Sequence, residues 1–287
     1  MQASEEKQMR RLLSSLVLSL ALVPAATAAE IFFAASNDRL VRTDLSTTVA
    51  FDLSASIHSL EFDANGTLWA TSRSDGGDGT WDLYRVDDPY GTPTLTLVTP
   101  NLSQATPAIA FDGSTLYGLE IISLTRQDLV TIDTGTGASA IVGATGDITI
   151  LGGGMDLDTD AGVMYALNHL DSTLHTLDYT LSGGPDPSPT LIGGLYGAAT
   201  DRALRSSDLA VNDATGALYG LLVERGPLEP GIHSIDPITG EATLLLDLSD
   251  PALLGVGAGG TGLAVIPEPG SLALIALGSF ALLRRRS

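Results

Sequence analysis

Cysteine is absent from this chain, and lysine occurs only once. The first absence excludes disulfides, thiolate metal sites and a cysteine nucleophile, so packing alone must stabilise the fold. Basic residues number 14 against 34 acidic ones, for a formal net charge of −20. Residues 30–266 are more acidic still, with 31 carboxylates and eight arginines. This balance argues against nucleic acid as a partner and favours a well-solvated surface, which could also attract divalent cations.

Catalytic motifs and a helical period are also missing. The chain has no G-x-S-x-G, H-E-x-x-H or P-loop motif, and its four histidines are scattered. Short β-rich runs fill the region between the two ends, and the chain contains 32 glycines. The pattern predicts an all-β fold and gives no support to a familiar catalytic site.

Residues 1–28 have the order of a signal peptide. Two arginines after Met9 precede a 12-residue apolar core, LLSSLVLSLALV, and the small-residue stretch AATAA. We expect export through the Sec translocon and cleavage after Ala28 by signal peptidase. The core is too short for a permanent anchor. Because Glu5 and Glu6 are out of place in a basic n-region, Met9 competes with Met1 as the true start and is favoured.

The C-terminal residues 265–287 combine three features in order. They are the rigid break Pro267, Glu268, Pro269 and Gly270, a 13-residue apolar segment at 271–283, and the basic cluster Arg284, Arg285 and Arg286. The apolar segment is short for a stable membrane span but long enough for a transient transmembrane helix. The arginines would stay on the cytoplasmic side.

This order resembles the PEP-CTERM sorting signal of Gram-negative bacteria. The resemblance implies that exosortase, a membrane cysteine protease, recognises and processes the tail. It also implies transient anchoring in the inner membrane, followed by display at the cell surface or in the extracellular matrix of a biofilm. An ordinary tail-anchor helix is the alternative. The resemblance covers about 20 residues and indicates an address, not an activity.

Between the ends, a pattern recurs about every 45 to 50 residues. Its first half is a hairpin in which an apolar strand ends in Asp or Asn, turns, and returns through Leu or Met plus an aromatic residue. The four copies are LEFDANGTLWAT, IAFDGSTLYGLE, MDLDTDAGVMYAL and LAVNDATGALYGLL. A second hairpin follows each copy, as in LVTIDTGTGASAIVG. Four meandering strands per repeat predict the blade of a β-propeller.

The outermost fragments complete a fifth blade. Residues 31–53 lack a first strand, and residues 260–266 resemble a first strand with nothing after it. Joined, they give five four-stranded blades over residues 30–266, with the N- and C-terminal strands sharing one blade. The rhythm resembles that of NHL-like β-propellers. Six blades with one degenerate repeat, or a β-sandwich, remain as alternatives.

A propeller has two unlike faces. The hairpin face carries the turns between strands one and two and between strands three and four, and here these turns are rich in Asp. The loop face carries the connections between strands two and three and between blades. Variable loops on a rigid scaffold commonly bind ligands. The candidate binding residues on the loop face are Arg73, Trp81, Arg126, Tyr196, Arg202, Arg205 and Arg225.

Aromatic and arginine side chains suit a polysaccharide or an anionic ligand. The alternative is that Trp81 covers a hydrophobic edge and the arginines pair with neighbouring acids. Glycine-rich blade starts, such as residues 152–154, predict a crowded axis with little room for a substrate.

A metal site is a weaker hypothesis. Asp156, Asp158 and Asp160 form a D-x-D-x-D-x-G run, but Ala161 stands where an EF-hand loop needs Gly. Glu61 and Asp156 occupy matching positions on first strands, whereas the other blades have alanine there. An axial ring of metal ligands, as in lactonase-like propellers, would be incomplete. No cofactor is expected, with Ca²⁺ as the exception to test.

The sequence therefore predicts an exported, non-enzymatic propeller that binds exopolysaccharide or another surface component. A metal-dependent extracellular hydrolase resembling lactonases is one alternative, and a purely structural matrix protein is another.

Overall fold

In the computed structural model, the described part of the chain comprises residues 30–35, 38–73, 80–123, 126–146, 154–169, 171–195, 204–224, 230–249 and 262–266. These residues form twenty β-strands in five antiparallel sheets and no helix. None of them belongs to a helix that could cross a bilayer. The expected signal peptide at 1–28 and the tail at 267–287, including the expected transmembrane segment at 271–283, lie outside the described residues.

Each sheet is one blade, numbered here I to V in chain order. Blade I contains β1 (Ile31–Ala35), β2 (Arg39–Thr43) and β3 (Thr48–Asp52). Blade II contains β4 (Ile57–Phe62), β5 (Leu68–Arg73), β6 (Trp81–Asp87) and β7 (Thr94–Leu102). Blade III contains β8 (Ala105–Asp112), β9 (Thr115–Ser123), β10 (Arg126–Ile132) and β11 (Ser139–Ala144). Blade IV contains β12 (Met155–Asp158), β13 (Val163–Asn168), β14 (Thr173–Leu177) and β15 (Pro189–Gly194). Blade V contains β16 (Leu204–Asn212), β17 (Ala217–Glu224), β18 (Pro230–Ile235) and β19 (Ala242–Asp247), and the last strand is β20 (Gly262–Val265).

The last strand completes the first blade. β20 pairs antiparallel with β1, so blade I has the order β20-β1-β2-β3. Beyond the pair, the Ile266 N–H donates to the Glu30 carbonyl at 3.0 Å. The structure thus confirms five four-stranded blades, with β1 and β20 closing the ring, and it excludes the six-blade and sandwich alternatives.

The innermost strands form a ring. β20, β4, β8, β12 and β16 each contact the next, and β16 contacts β20 again. The repeat alignment is also correct in register, because the same innermost position pairs with an aromatic residue in every blade. The five pairs are Glu61 with Trp69, Ala110 with Tyr117, Asp156 with Tyr165, Ala210 with Tyr219 and Ala264 with Phe32.

The hydrophobic core is divided among the seams between blades. Five clusters of buried apolar side chains each combine residues from two neighbouring blades. Phe32 of blade I, for example, packs edge to face on Phe62 of blade II at 5.6 Å. Because no blade has a core of its own, closure of the ring buries apolar surface at every seam.

The outer strands of blades II to V carry a bulge at the same place. Their register shifts opposite Leu83, Leu129, Leu174 and Ile232, respectively. In blade IV the next blade's outer turn packs against this bulge, and a Cβ added to Gly193 would collide with the carbonyl of Thr239. The bulge therefore fits blade IV to blade V, and in each of the four blades it interrupts the regular outer edge of the sheet.

Candidate functional site

Three acidic side chains are buried at the axis of the ring. Glu61, Asp156 and Asp208 lie on β4, β12 and β16, and they are 8%, 5% and 0% exposed. Their position follows from the topology. An innermost strand has a neighbour on one side only, so N–H groups on its inner edge need acceptors that no strand supplies.

Asp156 and Asp208 supply those acceptors. Asp156 Oδ1 accepts the Leu157 N–H at 2.6 Å, and its Oδ2 accepts the Val211 N–H of the next blade at 2.5 Å. Asp208 repeats the arrangement, with the Leu209 N–H on Oδ1 at 2.9 Å and the Leu263 N–H of β20 on Oδ2 at 2.8 Å. The two carboxyl groups therefore bridge the seams between blades IV and V and between blades V and I.

Ser59 provides a third bridge. Its Oγ accepts the Ile109 N–H at 3.3 Å, across the seam between blades II and III. The same hydroxyl donates to Asp208 Oδ2 at 3.4 Å, which connects blade II with blade V across the axis. These polar bridges connect the blades at the level of the axis where Gly154 lies against the backbone of Leu209. This close approach of two strands is the crowding that the glycine-rich blade start predicts.

Glu61 is bonded differently. Its Oε1 accepts the Phe62 N–H at 2.8 Å, but no protein N–H or O–H reaches Oε2. The carboxyl of Asp156 lies within hydrogen-bonding distance across the axis. Burial, reinforced by the negative charge of Asp156, raises the pKa of Glu61 well above its usual value. The protonated form of Glu61 is therefore favoured, and in that form its O–H can donate to Asp156.

The other two axial acids are also perturbed by burial. Burial raises the pKa of Asp156 to about 7, although the hydrogen bonds from Glu61, Val211 and Leu157 oppose the shift. Burial raises the pKa of Asp208 well above its usual value, against the hydrogen bonds from Leu209 and Leu263. At the axis, burial thus favours the protonated forms of three neighbouring carboxyl groups.

A cavity of about 260 Å³ lies above this cluster and opens on the hairpin face. Glu61 and Asp156 contribute its most buried polar groups, and the half-buried Asp63, Asp112 and Asp213 stand in the surrounding turns. The side chains between them include Phe62, Phe111, Leu157, Val211 and Val265. The axis is therefore crowded at the level of Gly154 but open towards the hairpin turns, where the expectation of little room does not hold.

The calcium candidates are not assembled into a metal centre. Within the described ranges, no group of three or more His, Cys, Asp or Glu side chains is placed to hold a metal ion. Asp158 and Asp160 belong to the β12–β13 turn, in which Asp158 Oδ1 accepts the Ala161 N–H at 2.8 Å and Asp160 is exposed. Asp156 is committed to backbone N–H groups instead.

Most aspartates of the hairpin face serve the turns themselves. Asp133 Oδ1 accepts the N–H groups of Gly135 and Thr136 at 2.9 and 2.8 Å, and Asp44 and Asp236 repeat this geometry. Hydrogen bonds, led by the Gly183 N–H, lower the pKa of Asp178 to about 2. The acidic face predicted from the sequence is therefore built largely from turn-forming carboxylates.

Three of the candidate loop-face residues have described side chains. Trp81 is only 7% exposed and packs 4.7 Å from the His58 ring, within the seam between blades II and III. Arg126 makes two hydrogen bonds to Asp128, each of 2.9 Å. Arg73 is exposed, and together with burial it lowers the pKa of His58. Trp81 thus packs in a hydrophobic seam and Arg126 pairs with a neighbouring acid, which are the contacts that the alternative to ligand binding expects. A role for these residues in binding stays a prediction.

The other loop-face candidates are not described. Tyr196, Arg202 and Arg225 lie outside the described residues, and Arg205 lies in β16 with an undescribed side chain.

Asp208 and Ser59 were not singled out by the sequence analysis. The repeated hairpin motif begins at Leu209, one residue after Asp208, so the alignment omits it. Extending each repeat by one residue towards the N-terminus would have placed Asp208 and Ser59 at positions equivalent to Gly154 and Gly262.

Comparison with known proteins identifies the C-terminus and the fold. Residues 265–287 match the PEP-CTERM protein-sorting motif. The motif indicates an exported protein of Gram-negative bacteria whose C-terminal signal is processed by exosortase. No curated protein is significantly similar to this chain in sequence.

Solved structures with the same architecture are distant in sequence. A chain of the nidogen/laminin complex is 13% identical with a TM-score of 0.50, over 83% of this chain and 98% of that one. An auxiliary nutrient binding protein from Bacteroides ovatus is 13% identical with a TM-score of 0.52, over 77% of this chain and 55% of that one. A periplasmic gluconolactonase from Pseudomonas aeruginosa is 11% identical with a TM-score of 0.41, over 77% and 82% of the two chains, and that likeness carries no argument. At these identities the likeness shows the propeller fold alone.

Proposed function

We propose that the chain is a non-enzymatic display protein, exported through the Sec translocon, cleaved by signal peptidase and released to the cell surface or matrix by exosortase. Before release, the tail anchors it transiently in the inner membrane. Its loop face then binds exopolysaccharide or another surface component of the biofilm.

The observation that carries this proposal is the place where the chain leaves the propeller. Glu30 and Ile266 lie side by side, and Val265 lines the cavity that opens on the hairpin face. A tail that starts at Pro267 therefore holds the hairpin face towards the membrane. The loop face points away, towards the matrix.

The axial carboxyl groups support a scaffold role. Asp156 and Asp208 each accept two backbone N–H groups, one of them from the next blade. Residues used in this way stabilise the ring.

A binding assay with purified exopolysaccharide from the producing cells tests the proposal. Arg73→Gln and Arg225→Gln, at two positions that the sequence pattern assigns to the loop face, should weaken binding together, since each removes a charge that an anionic glycan would contact. Arg85→Gln is the matched control, because Arg85 pairs with Asp87 at the hairpin end of β6. Undiminished binding by the double loop variant would refute the loop-face assignment. Absence of any glycan binding, with a weakened matrix in cells lacking the protein, would favour the structural alternative.

A further inference from the structure

Two asparagine sequons of the form N-x-[ST] occur in the body of the chain. They are Asn65-Gly66-Thr67 and Asn101-Leu102-Ser103. In an exported protein this motif is the acceptor for transfer of an oligosaccharide to the asparagine amide, and it is used on surface loops. Because so short a motif also occurs by chance, the structure around each copy decides whether a transferase can reach it.

The first sequon forms the tip of the hairpin turn between β4 and β5. Asn65 and Gly66 are exposed, and Thr67 is half-buried just before β5 begins. The Gly66 N–H donates to the Asp63 carbonyl at 2.9 Å. The Asp63 carboxyl accepts the N–H groups of Asn65 and Thr67, each at 2.9 Å. The backbone and Asp63 therefore build this turn, and the Asn65 amide and the Thr67 hydroxyl have no part in it.

The second sequon is closed by the fold. Its middle residue, Leu102, is only 5% exposed and packs in the seam between blades II and III. The Ser103 hydroxyl donates to Glu120 Oε1 at 2.6 Å, and the Asn101 N–H donates to Asp82 Oδ1 at 2.9 Å. A transferase could hold this sequon only if the end of β7 first left the blade.

We propose that Asn65 is N-glycosylated in the folded, exported protein and that Asn101 is not. The donor is an oligosaccharide linked through a diphosphate to a polyprenyl lipid, and the enzyme is an oligosaccharyltransferase on the exported side of the inner membrane. The bond from the sugar C1 to the diphosphate oxygen breaks, with its electron pair on the oxygen. A C1–N bond forms to Asn65 Nδ2, one amide proton goes to a base of the transferase, and polyprenyl diphosphate leaves.

The turn also decides where the glycan would lie. A Cβ added at Gly66 would meet no atom within 4 Å, so the space above the tip is open. Ala64, next to the acceptor, lines the cavity on the hairpin face. A glycan on Asn65 would therefore place a bulky, hydrated group at the mouth of this cavity. The inference needs only export, and it does not depend on the loop-face binding proposed above.

Peptide mass spectrometry of the protein purified from the producing cells tests the proposal. Trypsin cleaves after arginine, so the two sequons fall on separate peptides, residues 43–73 and residues 86–126. We expect the first peptide to carry a saccharide, which fragmentation that retains the sugar should locate on Asn65. The second peptide should have its unmodified mass.

Four variants test the dependence on the sequon. Asn65→Gln and Thr67→Val should each abolish the modification, whereas Thr67→Ser and Asn101→Gln should retain it. Thr67→Val nearly keeps the shape of the side chain and removes the hydroxyl, so it provides the test should Asn65→Gln disturb the turn. Thermal melts of each variant show whether the fold is kept.

An unmodified first peptide from the producing cells overturns the proposal. Conversion of Asn65 to aspartate without any sugar, which is the spontaneous reaction of an Asn-Gly pair, overturns it too. Sugar on both peptides would show that transfer precedes folding, against the selection of Asn65 by the structure. A saccharide that persists in Thr67→Val would be attached independently of the sequon and would also contradict the assignment.

Discussion

At the residue scale, the axial acids make stability depend on pH in an unusual direction. The pKa values of Glu61 and Asp156 are raised in the folded state, so the folded protein binds more protons than the unfolded chain between about pH 4 and pH 7. Their contribution to stability is fully present below the unfolded pKa and is lost as the pH rises through the folded values. The exposed turn acids have the opposite effect. Hydrogen bonds lower the pKa of Asp133 and Asp178, so their contribution to stability is lost only when the pH falls through these lowered values.

We therefore expect the melting temperature to fall as the pH rises from 5 to 8. Each extra proton bound by the folded state corresponds to a loss of roughly 1.4 kcal/mol per pH unit. Glu61→Gln should flatten this slope and stabilise the protein at pH 8. The new amide can keep its oxygen on the Phe62 N–H and donate its N–H to Asp156.

Calorimetric melts of the full chain at several pH values measure the effect. Glu241→Gln removes the same charge from an exposed position and should keep the wild-type slope. A slope that is equally steep in Glu61→Gln would show that Glu61 does not hold the proton.

Individual residues were predictable where the repeat alignment reached them. Glu61 and Asp156 could be placed at one level of the axis because both precede the same turn motif. Asp208 bridges two blades through the N–H of Leu263, which is 55 residues away in the sequence. No local sequence pattern predicts such a contact. The burial of Trp81 could not be predicted for the same reason. It results from packing against His58 and blade III, and the sequence of its own strand does not indicate these contacts.

At the scale of elements, hairpins were predictable and bulges were not. An Asp that opens a glycine-containing turn between two apolar runs has a local physical reason to turn, and the turns at Asp63 and Asp133 form as expected. The outer bulges have no comparable local cause. The bulge of blade IV occurs where the outer turn of blade V packs, so only the assembled ring explains the glycine at 193.

Gly193→Ala tests that explanation. The new Cβ would meet the backbone carbonyl of Thr239, which cannot move without shifting the turn of blade V. Overpacking of this kind should cost about 1–3 kcal/mol and lower the melting temperature by several degrees. Gly184→Ala is the matched control, because no atom lies within 4 Å of a Cβ at that position. Equal melting temperatures for the two variants would show that the seam between blades IV and V adapts freely.

At the scale of the whole molecule, the strand that closes the ring runs directly into the sorting motif. The sorting motif begins at Val265, which is also the last residue of β20. Only Ile266 separates the last strand of the propeller from Pro267. The orientation of the body at the membrane should therefore follow from the direction in which β20 ends.

Single cysteines can measure this orientation, since the chain has none of its own. Ser54→Cys lies in the connection between blades I and II on the loop face, and Ala64→Cys lies in a hairpin turn; both positions are exposed. Pro267→Ala combined with Pro269→Ala should keep the tail unprocessed and the chain in the membrane. A bulky, membrane-impermeant maleimide should then label position 54 rapidly and position 64 slowly.

The difference should vanish in a chain that ends at Ile266, because a released propeller exposes both faces. This control separates shielding by the membrane from any intrinsic difference in thiol reactivity. Rapid labelling at position 64 in the membrane-held chain would place the hairpin face outward. It would also remove the argument that the loop face meets the matrix, because the short connection after β20 would then have to reverse the direction of the chain.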